Sequence, residues 1–299
     1  MALTVHTISS FVHGSNVINQ ILSAGFSPNL VQLLEGGSGL VDAGYSGVVG
    51  SAPELAFSTS AIKTALADLG GIDGIAIAAS NGIFYFQKTT SGGLRAGATS
   101  HVKATIVQGI MVPQSLTIPH QGKATLSYRV VMTSADGAAA PVAFLDSQSL
   151  DAGIVTAAEL YVLGSVEVNG TTLEGVSQVV INFGVGVWID GGSGLVYPTH
   201  CAVSQRRPTI AIQTRDIATS VGWGLLGQAQ NDTDSVVTLT GLTNGGSLNG
   251  SDQITATIDA GRMHYTDLSG VDGERMAGQI TITPTSDGTN AIIALGGLT

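Results

Sequence analysis

Apolar and polar residues alternate in short runs along most of this chain, with turn residues between the runs. Glu54-Leu55-Ala56-Phe57-Ser58 and Thr209-Ile210-Ala211-Ile212-Gln213 each begin just after a proline, where a ladder N–H is not needed, and read as short strands. After the first, Ile62, Ala65, Leu66 and Leu69 fall at i, i+3, i+4 and i+7, which predicts a helix with one buried stripe. Thr59 or Ser60 is placed to cap it and Gly70-Gly71 to end it. After the second, Thr214 takes the capping place, Asp216 suits the positive helix end, and Gly222 shortens the helix. Residues 75–79 and 83–87 flank Ser80-Asn81-Gly82 and predict a hairpin, Asn81-Gly82 supplying positive φ angles. Further strands are expected at about 29–35, 102–112 and 116–118. Residues 124–131 and 142–144 flank a turn at Ala135-Asp136-Gly137, as 279–283 and 291–295 flank Ser286-Asp287-Gly288. Many short strands with one helix per unit predict a mainly β fold, a sandwich or barrel with a packed helix.

The units repeat. Glu35-Gly36-Gly37-Ser38-Gly39-Leu40-Val41 matches Asp190-Gly191-Gly192-Ser193-Gly194-Leu195-Val196 at six of seven positions, and the seventh is an acid in both. The same spacing continues without a gap: Val48 falls on Val203, Pro53 on Pro208, Thr59 on Thr214 and Ile62 on Ile217. From 35 to 66, 12 of 32 positions are identical. Ala104-Thr105-Ile106 then matches Ala256-Thr257-Ile258, Met111 matches Met263, and Ser134-Ala135-Asp136-Gly137 matches Thr285-Ser286-Asp287-Gly288. Matches in one order at nearly constant spacing predict a tandem duplication. Its expected parts are an N-terminal extension at 1–29, repeat one at 30–146, a linker with connecting strands at 147–184, and repeat two at 185–299.

Composition narrows the classes. Hydrophobic residues make up 43% of the 299 and charged residues 11%, against roughly 25% charged in an average soluble domain. A chain this apolar and weakly charged folds rather than staying disordered. Its surface of Ser, Thr, Asn, Gln and Gly is cheap to desolvate, which suits burial against copies of itself. The net charge is −10, and Arg206-Arg207 is the densest basic spot, so gripping nucleic acid through phosphates is not expected. The single Cys201 reads as a small half-buried residue with no disulfide partner. The start of the chain lacks a secretory pattern and no run reaches the length of a membrane span, which predicts a protein made in a cytoplasm.

No motif carries recognisable chemistry. The two Gly-Gly-Ser-Gly loops lack the Lys-Ser/Thr and the helix start of a phosphate loop, and read as structural turns. His6, His13, His101, His120, His200 and His264 show no helical metal-pair spacing, and Cys201 has no Cys partner. Asn231-Asp232-Thr233-Asp234 lacks the EF-hand spacing and its closing glutamate. No Gly-x-Ser-x-Gly elbow is present. The expectation is no enzyme: no catalytic, cofactor-binding or metal residues, and no cofactor.

The order of pieces resembles the tail-tube domain of long-tailed bacteriophages. The resemblance lies in Pro53 to Leu66 and Pro208 to Val221. There Pro-x-x-x-Phe/Ile-x-Thr and a helix follow a strand and a Gly-containing loop, with further paired strands after. It covers both repeats, which are similar to the branch with two fused copies and trimeric rings of pseudo-sixfold symmetry. The resemblance implies two tandem tail-tube-like domains in a non-enzymatic, self-assembling virion structural protein. Its homotrimeric rings would stack into the phage tail, assembled in the host cytoplasm. The implied partners are further copies of the chain, a tape-measure protein and tail-end proteins, with DNA passing through unbound and no membrane anchor. The same duplicated domain occurs in trimeric tail-hub and baseplate proteins, and Gly/Ser/Thr-rich tandem β-domains occur in self-assembling surface proteins and adhesins. Both stand as alternatives.

Overall fold

A computed structural model describes residues 5–39, 41–42, 44–89, 101–150, 159–224, 230–232, 234–243, 245–270, 276–286, 288 and 291–298. The protein is mainly β, built of several antiparallel sheets, with two helices among the described residues. The chain opens with β1 (Val5–His13), β2 (Asn16–Ile18), β3 (Ile21–Ser27), β4 (Leu30–Glu35), β5 (Tyr45–Ser51) and β6 (Glu54–Thr59). Helix α1 (Ile62–Asp68) precedes β7 (Ile75–Ile77), β8 (Gly82–Thr89), β9 (His101–Ile106), β10 (Gln108–Pro119), β11 (Thr125–Thr133) and β12 (Val142–Gln148). Then come β13 (Tyr161–Val168), β14 (Thr171–Thr172), β15 (Val176–Asn182), β16 (Val185–Asp190), β17 (His200–Arg206) and β18 (Thr209–Thr214). Helix α2 (Ile217–Gly222) is followed by β19 (Gln230–Asp232), β20 (Ser235–Leu242), β21 (Leu248–Ile258), β22 (Gly261–Ser269), β23 (Ala277–Pro284) and β24 (Ala294–Gly296).

The halves follow one pairing plan. One five-stranded sheet runs β2-β1-β8-β9-β12 and another β14-β13-β20-β21-β24. The ten-stranded sheet contains β7-β10-β11-β6-β3 and β19-β22-β23-β18-β15, joined where β10 pairs with β15. Hairpins β4–β5 and β16–β17 stand apart from these sheets. Register repeats as well as order. The bulge between Ile21 and Ser23 on β3 recurs between Val176 and Gln178 on β15. The bulge between Pro113 and Ser115 on β10 recurs between Tyr265 and Asp267 on β22.

The alternation read from the sequence decides which side is buried. On β6, Leu55, Phe57 and Thr59 point inward, and on β18, Ile210, Ile212 and Thr214 do. The five-stranded sheet lies face to face on the large sheet. Phe11 and Phe84 from one meet Phe57 and Tyr128 from the other, with Phe11–Phe57 and Phe57–Tyr128 stacked at 5.2 and 5.3 Å between centroids. At the matching places of the second half stand Val166, Val237, Ile212 and Ile280, all buried. One apolar cluster runs through both halves. Each such side chain contributes about 1.5–3 kcal/mol by leaving water.

Several expectations need correcting. The stripe Ile62, Ala65, Leu66 and Leu69 is buried as expected, but neither Thr59 nor Ser60 caps α1. Ala61 is the boundary residue, and Thr59 Oγ1 accepts from its N–H at 3.0 Å. Asp216, not Thr214, caps α2, accepting from the Thr219 N–H, while Thr214 Oγ1 accepts from the Asp216 N–H. The hairpin expected around Asn81-Gly82 does not form. β7 pairs with β10 in the large sheet, and β8 pairs with β1 and β9 in the other. The positive φ angles there belong to Ala79 and Ser80. The N-terminal strand β1 takes the edge of β8 that a hairpin partner would have used.

The strand expected at 102–112 divides at Val107 into β9 and β10, which lie in different sheets; β10 runs on through Pro113 as one bulged strand that takes in 116–118, and the last strand covers Ala294–Gly296 rather than 291–295. β11 and β12 flank the turn at Asp136-Gly137 but lie in different sheets. The expected extension at 1–29 carries β1, β2 and β3, and the expected linker at 147–184 carries β13, β14 and β15; all six are paired within the sheets. Residues 1–4, Leu40, 151–158, Thr233 and Asp287 lie outside the described residues.

Candidate functional site

The side chains singled out for chemistry are scattered. His13 is buried, its Nε2 3.1 Å from Ala76 O and 3.2 Å from Asn81 Nδ2, and so joins β1 to the β7–β8 turn. His101 is buried on β9, and His264 is half-buried on β22. His120 and His200 are exposed, and His6 is placed only by its pairing on β1. Among the described residues no three His, Cys, Asp or Glu side chains gather to hold a metal ion. Cys201 is half-buried on β17. Burial pushes its thiol above the ordinary value, against a hydrogen bond with Thr133, so the reactive thiolate is disfavoured. Arg206 is bound to Asp73 at 2.9 Å, and Arg207 donates its backbone N–H to Gly184 O. Asn231 and Asp232 lie on β19.

The most elaborate polar geometry lies where the two halves meet. β10 and β15 pair from Ser115↔Asn182 to Pro119↔Gln178, and the Phe183 N–H donates to Gln114 O at 3.0 Å. Hairpin β16–β17 reaches across onto the first half. The Ser51 N–H donates to Val196 O at 2.8 Å, Ser134 N–H to Pro198 O at 2.8 Å, and Tyr197 N–H to Gly137 O at 3.0 Å. Gly137 allows this approach. Its φ is +75°, and a Cβ there would meet Leu195 Cδ1 at 2.4 Å. The Gly-Gly-Ser-Gly loops are the tips of these two hairpins, with Gly39 at φ +90° and Gly194 at φ +81°. No backbone cradle for a phosphate is needed to explain their glycines.

Charged groups also bridge the halves. The Glu159 carboxylate accepts from the Lys63 N–H at 2.9 Å, from the Thr64 N–H at 3.2 Å, and from the Thr64 hydroxyl. Lys63 Nζ lies 3.5 Å from Asp252, which also accepts from the Tyr161 hydroxyl at 2.9 Å. Burial, with the Asp252 hydrogen bond and charge and the Glu159 charge, pushes the Tyr161 hydroxyl well above its ordinary value. A cleft of about 980 Å³ follows the same seam. It is open and lined mainly by Leu66, Ile72, Ile292, Leu295 and Leu298, with Asp73 and Arg206 at its rim. Sequence reading missed this joint because its contacts link residues that stand far apart in the chain, from Gly137 and Tyr197 to Lys63 and Asp252, and leave no local pattern.

The fold and this seam define a mainly β protein in which two sets of strands with one pairing plan are joined through a single sheet where β10 meets β15. No protein-family model matches the chain, and no curated protein is similar to it. Among the described residues no helix is long and apolar enough to cross a membrane.

Proposed function

We propose that this protein is a non-enzymatic virion structural protein of the phage tail-tube kind. Its copies close into rings, the rings stack, and DNA passes through the bore from capsid to host. The reading includes duplication of one domain, so that three chains supply the six domains of a ring. What supports it most is the joint between β10 and β15. It sets two units of one pairing plan side by side, using different edges of each. A head-to-tail contact of this kind, repeated, generates rings or filaments rather than a symmetric pair. The low charge content of the chain agrees with extensive burial between copies, and the net charge of −10 agrees with DNA that slides rather than binds.

Negative-stain microscopy of the purified protein, with native mass measurement of the particles, tests the reading. Stacked rings or tubes with three chains per ring are expected. Single rings that never stack would favour the tail-hub alternative, and flat sheets a surface-layer protein. Particles that stay dispersed at high concentration would overturn self-assembly altogether.

A further inference from the structure

The joint inside the chain has a matching pair of unfilled edges outside it. On β10, the edge away from β11 is shared: Gly109–Met111 pair with β7, and Ser115–Pro119 pair with β15. On β22, Gly261–Met263 pair with β19 in the same way, but Asp267–Ser269 meet no strand on that side among the described residues. β15 lies between β18 and β10, whereas its counterpart β3 pairs with β6 and ends the sheet. The protein thus has one donor edge and one acceptor edge of the same design as its internal joint, both open among the described residues.

Burial follows the same division. Phe26 on β3 is 38% exposed, whereas Ile181 at the matching place of β15 is 0%. Leu30 is 57% exposed and its counterpart Val185 is 7%; Val221 on α2 is 44% exposed and its counterpart Leu66 is 1%. Phe144, exposed and packed edge-on against Phe26 at 5.7 Å, widens the open apolar face of the first half. Open strand edges flanked by apolar side chains template pairing with another chain.

The geometry points to a second copy of this chain as the occupant: β22 of one copy pairs antiparallel with β3 of the next. The internal joint sets the register. Ser115↔Asn182 becomes Asp267↔Ser27, Leu116↔Ile181 becomes Leu268↔Phe26, and Thr117↔Val180 becomes Ser269↔Gly25. Val221 then lies against Phe144 of the next copy, as Leu66 lies beside the segment carrying Leu295 within the chain. This deepens the ring reading by naming its contact surface, though the surface follows from the internal joint whatever larger object the copies build.

Cysteine pairing tests the register. In a Cys201→Ser background, Phe26→Cys with Leu268→Cys places two thiols directly across the new pair, within disulfide reach. Mild oxidation of the assembled protein should link chains into covalent multimers on a denaturing gel, while either substitution alone leaves single chains. Phe26→Cys with Arg262→Cys, six positions out of register, should not link. Phe26→Lys and Leu30→Lys should each leave a folded single chain and abolish assembly, because both side chains are exposed in the isolated chain. A dimer from Leu268→Cys alone, linkage through Arg262→Cys, or undiminished assembly of the lysine variants overturns the proposal. Linked chains that form no stacked rings would remove the tube reading and leave the interface standing. Stacked rings without the linkage would do the reverse.

Discussion

Glu159 holds the start of α1 through the Lys63 and Thr64 N–H groups, although it stands 95 and 96 positions away in sequence. A helix start leaves its first N–H groups without partners, and an anionic acceptor there also faces the positive end of the helix. Glu159 is itself positioned by its N–H, which donates to the Gln20 side chain at 3.0 Å. The carboxylate therefore does locally what a capping Ser or Thr does, and also ties the entry of the second half to the helix of the first.

Glu159→Ala is expected to lower stability by about 1–2 kcal/mol, the range of a lost helix cap. Glu159→Gln keeps one acceptor oxygen and loses the charge, so it should fall between the two. Denaturant titrations of the three proteins check the order. A Glu159→Gln protein as unstable as Glu159→Ala would mean that charge, not the N–H contacts, carries the effect.

Gly137 and Leu195 make a second test of the seam. Any side chain at 137 must adopt positive φ and displace Leu195, whose Cβ as well as Cδ1 lies too close. Gly137→Ala should cost about 1–2 kcal/mol from the left-handed backbone alone, plus the cost of moving Leu195. Adding Leu195→Ala removes Cδ1 and Cγ but keeps Cβ, so it should recover part of the second cost and leave the first. A double-mutant cycle with no coupling would show that the hairpin is not held against this turn.

How far the sequence disclosed this architecture depends on whether an interaction is local. Pro53 and Pro208 mark strand starts, and the stripe from Ile62 to Leu69 marks a helix, because those constraints act within a few residues. The likeness of β1 and β13 left no trace in the sequence because their matched core positions share apolar character but neither size nor identity: Phe11 stands where Val166 does. A sheet core asks for apolar volume, and aromatic and aliphatic residues both meet that demand. Asn81-Gly82 has turn chemistry, but β1 competes for β8 and wins, which no local signal announces. The joint at β10 and β15 was illegible for the same reason. Its partners are ordinary alternating strands, and only the fold brings them together.

Thr59 and Thr214 perform one task in the two halves. Each buried hydroxyl accepts from the backbone N–H two residues on and donates to a carbonyl, Asn19 O at 2.8 Å or Glu174 O at 3.1 Å. Replacing either with Val keeps the volume and strands both backbone groups, at about 1–3 kcal/mol. The two costs should be similar and should add, since the sites share no partners. Because the ten-stranded sheet is continuous across the halves, each single variant should lower the midpoint of one common transition. Two separate transitions in Thr59→Val, one at the parent midpoint, would show that the halves unfold independently.

The turn that receives the hairpin also predicts a response to acid. The Asp136 carboxylate accepts from the Ala139 N–H at 2.8 Å, the Ala138 N–H at 2.9 Å and the Ser134 hydroxyl at 3.0 Å. These bonds, the Ala139 one foremost, hold the carboxyl below its usual range. A group whose folded value is depressed stabilises the fold fully above its unfolded value, about 3.9 for Asp. That contribution is lost as pH falls through the lower folded value. Acid should therefore release the Ala138 and Ala139 amides and loosen the turn whose Gly137 carbonyl receives Tyr197. The amide resonances of Ala138 and Ala139, followed by NMR from neutral pH downward, should titrate together with a midpoint below that of an ordinary Asp. In Asp136→Asn the side-chain oxygen still accepts and carries no titrating proton, so both amides should hold their positions through the same range. A midpoint at or above 3.9, or an unchanged titration in Asp136→Asn, would assign the acid response to another group.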